Sequence, residues 1–456
     1  MRYRQLAVPD ANDLIFGRSL HPVSCGFGLT IGNGSVFPEV NFTLPPMDIT
    51  EETWPQAIRE YEDMAEAIIG RAVALQLPGL VVELELLPPQ SRRAEWGAEI
   101  TALFVEALRK AHETHGLRSA VRATIIDLRP SKHPPRMRDG EDWDATLRSF
   151  EACAAAGAHI LSIESEGGKE VSDEALLSGD IAGMAFALGV LACRDMAWLW
   201  DHISAICAAH PGVVSGGDSA CAFGNTAMQL AHQHMLPQVF AAVVRAMTAP
   251  RSLVAFEHGA VGPSKDCAYE NVYVKAITGC PISMEGKSAA CAHFSPIGNI
   301  AAAFCDLWSN ESVQNVRLLS GSAPAAFTEI LSYDCRLMNE ALQKEQALCL
   351  RDLMVGSDCY LSPQALVLSP ESTIAIAKAV VAEEDDYRRT VAAGRTAVAL
   401  IREALDQQKL TLSSVEMRWL NRVDAAIEEL PKTEGEIIES MTAVYGHLFD
   451  AAGYGL

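Results

Sequence analysis

The sequence predicts an α/β fold, a TIM (β/α)8 barrel with an additional N-terminal segment and C-terminal helices. Three observations carry that reading. Short apolar runs of strand length recur through the middle of the chain. Longer amphipathic stretches separate them, and strands that alternate with helices build a parallel sheet. Eight such runs fit a barrel, and none is followed by the GxGxxG turn of an open, doubly wound nucleotide-binding sheet.

Taken in order, the chain up to Pro46 is rich in Gly and Pro, with Gly26, Gly28, Gly32 and Gly34 set among apolar residues, a pattern of turns and short strands. A helix is predicted over 53–73, with Ile58, Tyr61, Ala65 and Ile68 on one face. Strands are then predicted at 79–84, 120–126, 159–164, 185–191, 212–215, 253–256, 282–285 and 316–319. Helices are expected over 195–208 and 226–247, and from Ala323 onward the pattern is helical throughout. Ser413 and Glu416 have the spacing of a capping box. The expected division is 1–75 as an N-terminal segment and helix packing on the barrel, 76–325 as the catalytic barrel, and 326–456 as a C-terminal helical region.

Composition limits the partners. The 456 residues carry a formal net charge of -22, which repels nucleic acid and an anionic membrane alike. The longest apolar run, 181–193, is too short to span a bilayer and reads as a buried strand with its flanks. The opening residues turn polar at Asp10, Asn12 and Asp13, so no secretory leader is expected. The 12 cysteines are scattered singly with no CxxC pair, as in a chain with reduced thiols, and a cytoplasmic location is expected.

A barrel places its chemistry at the C-terminal ends of the strands. The reactive residues there are Glu164 and Glu166 after 159–164, Asp218 and Cys221 after 212–215, and Glu257, His258, Asp266 and Cys267 after 253–256. Two thiols and a carboxylate from three strand ends can converge on one zinc ion and leave its fourth position open. Spacing alone favours reading each cysteine as a small buried side chain, the commoner fate of a free Cys. Glu164 is harder to dismiss, because a carboxylate buried at a strand end needs a partner or a metal. His258 and His293 lie near predicted strand ends and are candidates for ligands or acid–base groups, although a lone histidine is more often structural. His202, beside Trp198 and Trp200 in a helical pattern, reads as structural. Gly216-Gly217 reads as a sharp turn into the site rather than a phosphate cradle. The acidic run Glu383-Glu384-Asp385-Asp386 reads as a solvated face.

At these residues the sequence resembles the zinc-containing subunit of methanol–corrinoid methyltransferases. The resemblance runs over nearly the whole chain, from Phe16-Gly17 to Gly453-Tyr454-Gly455. It is most specific in IESEGGKEV (163–171), SGGDSACAFGNTAM (215–228), AVGPSKDCAYEN (260–271), VKAITGCPISMEGK (274–287) and LWSNESV (307–313). It implies that Glu164, Cys221 and Cys267 are the zinc ligands and catalytic residues, within a TIM barrel that has extra helices. It also implies a corrinoid carried by a partner protein, a small methylated substrate, and a homodimer. The sequence departs from the pattern at Ala220, Glu166, Phe223-Gly224 and the segment 293–296.

The expected reaction moves a methyl group from methanol, or a similar small methylated compound, to a Co(I) corrinoid. A zinc ion would act as the Lewis acid on the substrate oxygen. Glu166, Asp218, Lys265 and His258 are candidates for an assisting proton donor. Two alternatives stay open at this point: another methyl donor such as a methoxylated compound, or a barrel that keeps the fold without catalysis.

Overall fold

The computed structural model describes residues 2–42, 44–265, 267–311 and 321–456. Its strands are β1 (Arg18–Cys25), β2 (Leu29–Asn33), β3 (Phe37–Asn41), β4 (Leu80–Glu85), β5 (Ser119–Ile126), β6 (Ile160–Glu164), β7 (Val214–Asp218), β8 (Ser283–Glu285) and β9 (Leu307–Ser309). β1 and β2 form an antiparallel hairpin, and Phe27 at its turn donates to the Ser119 carbonyl (2.7 Å) at the start of β5. The other strands form one parallel sheet of seven, in the order β7-β6-β5-β4-β3-β9-β8. Helices connect them, beginning with Trp54–Ala74 between β3 and β4, so the architecture is the barrel the sequence predicts.

Residues 261–264 fill the gap between β7 and β8. Val261 donates to the Ser215 carbonyl (2.9 Å) on one side, and Ser264 donates to the Pro281 carbonyl (3.3 Å) on the other. Ser264 also forms a parallel bridge to Ile282. This segment therefore stands where a strand would, with few of a strand's hydrogen bonds.

The barrel interior is not wholly apolar. Arg122 on β5 donates from Nε to Glu39 Oε1 on β3 (2.6 Å), and from Nη1 to Ser162 Oγ on β6 (2.7 Å) and the Pro263 carbonyl (2.9 Å). Ser283 on β8 also bonds Glu39. Arg122 and Glu39 are both fully buried, and their bonds tie four strands and the gap segment into one register. Side chains alternate across a strand, so Arg122 and Thr124 point to the same face, and Thr124 donates to Glu83 on β4 (2.5 Å).

Two strand predictions fail. Residues 185–191, and with them the apolar run 181–193, belong to a helix, Ile181–Ala209, that begins at an Asp180 cap and carries a π-type turn at Ala187–Ala192. Residues 253–256 belong to the helix Ala249–Glu257. Both segments are buried on all sides by the barrel and the C-terminal helices, so they lack the polar face whose period marks a helix. The predicted strand at 316–319 lies outside the described residues. β3, the gap segment and β9 supply the remaining positions, and each is too short or too irregular to stand out as a run. Ile181–Ala209 and Gln238–Glu257 are long and apolar enough to cross a membrane, but the first is mostly buried in the fold and the second wholly so, as core helices are.

The C-terminal helices wrap the barrel. Asp386–Asp406 packs on Gln238–Met247 and on the π-type turn. Ser413 caps its helix through the Glu416 amide (3.2 Å), as the spacing predicts. The Glu416 carboxylate instead accepts from the Gln238 and Val239 amides (2.9 Å each), and so caps a second helix. The acidic run is not simply solvated. Asp385 caps the helix that follows, and Asp386 pairs with Arg2 (2.6 Å) and Arg389 (3.5 Å), anchoring the N-terminal segment.

Candidate metal centre

Glu164, Cys221 and Cys267 come together at the C-terminal mouth of the barrel, with one ligand atom from each within 4.8 Å of the others. Glu164 is the last residue of β6. Cys221 opens the helical turn Cys221–Asn225 three residues after β7. Cys267 follows the gap segment. Three successive staves of the barrel thus deliver one donor each. Cys267 Sγ lies 2.6 Å from Glu164 Oε1 and donates to it.

The local fold explains why these donors hold still. Ser165 donates its amide to Asp218 Oδ1 (3.2 Å), Glu166 donates to Asp127 Oδ2 (3.0 Å), and Gly168 donates to Tyr454 Oη (2.8 Å). Asp127 is itself clamped by Arg129, which also grips Asp195 (2.7 Å), and all three are buried. On the Cys221 side, Glu270 accepts from the Ala220 amide (2.8 Å) and Ser252 Oγ (2.6 Å). Gly217, with φ +115°, allows β7 to bulge beside β6; a side chain at Gly216 would press on β6, and one at Gly217 would crowd Ser264 and Phe256. The glycine pair is therefore a packing feature of the strand, not a phosphate cradle.

Lys265 stands next to the site and is buried. Its Nζ lies 2.7 Å from Glu83, 2.9 Å from Glu85 and 3.4 Å from Glu164. Contact with the Cys267 sulfur lowers the pKa of Cys221, but burial together with Glu164 and Glu285 carries it up to about 12. Burial pushes the Cys267 thiol well above its ordinary value, with Cys221 and Glu164 adding to the rise. Left to themselves the two sulfurs stay protonated at neutral pH, and a bound divalent cation is what ionises such a pair. Two sulfurs and one carboxylate form the donor set that suits zinc, with one tetrahedral position left over.

The other candidates separate. Asp218 is buried against Arg251 (3.2 Å) and positions the loop after β6. Glu166 sits at the mouth, where burial, and then Asp127, raise its pKa to about 7. His258 bonds Asp201 (2.8 Å) at the end of the Ala249–Glu257 helix, and Glu257 pairs with Arg389 (2.9 Å), so neither belongs to the site. His293 lies 3.9 Å from Glu311, and burial lowers its pKa. His202 bonds the Trp198 carbonyl (2.8 Å) and packs edge-on against Trp143, a structural role. Asp266 lies outside the described residues. Sequence reasoning passed over Glu83, Glu85, Arg122 and Glu39. Their signal was available, as charged residues at alternate positions within otherwise apolar runs.

Fold and site together define a barrel with two cysteines and a carboxylate grouped at the ends of its strands, placed so that they could hold a metal ion. The chain matches the family described as methanol-cobalamin methyltransferase B subunit over residues 1–455. It is 39% identical to a methanol–corrinoid protein co-methyltransferase of Methanosarcina barkeri (strain Fusaro / DSM 804), over 97% of this chain and 96% of the relative. The crystal structure of the methanol:cobalamin methyltransferase complex MtaBC from Methanosarcina barkeri superposes with a TM-score of 0.96 at 37% identity, each chain fully covered. The chain belongs to the methanol-cobalamin methyltransferase B subunit family.

Proposed function

We propose that this protein transfers the methyl group of methanol to the cobalt of a corrinoid carried by a partner protein, using a zinc ion held by Glu164, Cys221 and Cys267. The observation that carries the zinc reading is the convergence of those donors from three separate strand ends. Family membership supports the substrate and the corrinoid partner. Zinc bound there supplies a Lewis acid that stabilises negative charge developing on the substrate oxygen.

The chain's own residues do the rest. Glu164 and the two cysteines would hold the ion, and the loop that follows Glu164 has its amides pinned by Asp218, Asp127 and Tyr454. Lys265 shares its charge among Glu83, Glu85 and Glu164 and fixes the orientation of the last. The site opens at the strand ends, so the methyl acceptor approaches over the mouth. We also place the protein in the cytoplasm, as a homodimer. On the Ala323–Gln343 helix, Ile330, Tyr333 and Leu337 form an exposed apolar stripe for the second copy.

The deciding experiment measures metal content in anaerobically purified protein, alongside methyl transfer from methanol to cob(I)alamin. Wild-type protein is expected to hold zinc and transfer the methyl group, and Cys221→Ala and Cys267→Ala to lose both. Zinc retained in both variants would overturn the ligand assignment. Transfer from a methoxylated compound but not from methanol would overturn the substrate.

A further inference from the structure

Asn225 lies one helical turn beyond Cys221, so the two side chains share a face of the helix that rises from the site. Its Nδ2 donates to Cys221 Sγ (3.7 Å). The residue is 8% exposed, and its Oδ1 has no hydrogen-bond partner among the described residues. Buried carbonyl oxygens are nearly always satisfied, so an orphan acceptor beside a metal ligand calls for a partner that arrives later. The donor half of the amide is committed to the sulfur, which as a metal-bound thiolate can only accept. That fixes the orientation of the amide and leaves the oxygen as a free acceptor, one amide width from the nitrogen that touches Cys221.

We propose that Asn225 Oδ1 accepts a hydrogen bond from the substrate hydroxyl and so selects an alcohol over an ether as methyl donor. This rests on the function proposed above and deepens it. An alcohol held by its oxygen at the open position still carries one O–H donor, whereas a methyl ether carries none. A site built to bond a substrate hydroxyl discriminates strongly against an analogue that leaves its acceptor unpaired. Asn225 thereby joins two tasks in one planar group: steadying the sulfur ligand and reading the substrate oxygen.

The test uses full-length protein loaded with Co(II), whose visible absorption reports the site directly. Methanol and dimethyl ether are titrated separately, and metal content is measured on the same samples. Wild-type protein is expected to respond to methanol at lower concentration than to the ether. Asn225→Leu should keep its metal and shift the methanol midpoint up by about tenfold or more, with the ether midpoint unchanged. Asn225→Gln, which keeps both the donor and the acceptor, should recover part of the methanol response that Asn225→Leu loses. Equal weakening of both ligands in Asn225→Leu, or no change in either, overturns the assignment. If Asn225→Leu does not fold, Asn225→Ala takes its place, and methanol and ether midpoints that move together in it overturn the assignment. Wild-type protein that holds metal but passes no methyl group from methanol to cob(I)alamin defeats the underlying function instead. Activity with an unmoved Asn225→Leu midpoint defeats only the role of Asn225.

Discussion

The barrel holds two clusters of buried charge, and they are built on different terms. In the interior, Arg122 answers Glu39 directly and spends its remaining donors on Ser162 and Pro263. At the mouth, one lysine is shared by Glu83, Glu85 and Glu164, with two thiols close by. The first cluster is complete as it stands and acts on the fold. The second has more acidic groups than its lysine can balance once the thiols ionise, and the zinc proposed above would complete it. Burial alone therefore does not mark a functional site; the balance of charge does.

Breaking the inner pair should give the largest loss of stability. Arg122→Met leaves Glu39 buried without its cation, and unfolding in urea should show a loss of about 3–5 kcal/mol. Adding Glu39→Met should recover most of it, and a double variant no better than the single one would contradict the pairing. Lys265→Met should act differently, because a metal ion can replace the missing charge. The metal-free variant should lose about 3 kcal/mol, and zinc should restore much of that, read as a larger zinc-induced rise in Tm than in wild type. Equal rises in both proteins would remove Lys265 from the site's charge balance.

Two half-buried titrating groups at opposite ends of the barrel sharpen the contrast through pH. Near the mouth, burial raises Glu170 to about 7, although Tyr454 Oη donates to it (2.7 Å). Its neutral form is favoured by folding, so its contribution is complete below about 4.5 and fades as pH rises through 7. At the closed end, burial lowers His159 to about 4, and its Nδ1 accepts from the Val121 amide (3.0 Å). That contribution is complete above about 6.5 and fades as pH falls toward 4. Each is worth about 3 kcal/mol at most. Glu170→Gln should flatten the fall in stability between pH 4.5 and 7, and His159→Asn the fall between 6.5 and 4, both read from denaturation midpoints.

Much of the fold was legible in the sequence. β4 to β8 coincide with apolar runs that polar turns bound on both sides. The failures share one cause. The helices at 181–209 and 249–257 are enclosed by other elements, and a segment buried all round shows no period to distinguish helix from strand. β9 has three residues, and the gap segment pairs too sparsely to present a pattern. The grouping of Glu164, Cys221 and Cys267 was suggested by the strand-end rule and sharpened by the long motifs, because the three lie on strand ends far apart in sequence. Lys265 and Glu166 were within reach from the strand-end rule, but Asn225 was not. Its significance lies in an unsatisfied oxygen, which only coordinates reveal.

The pairing of β3 with β9, Phe37 against Leu307, has a consequence for assembly. The earliest barrel strand lies beside the latest, so the ring cannot shut until almost the whole barrel has been synthesised. Until then a growing chain presents two raw edges, that of β3 and that of whichever strand came last, and open β-edges invite pairing between molecules. Contacts so distant in sequence also form slowly. Output of active protein in a crowded cell should therefore depend on how well those edges are shielded during synthesis.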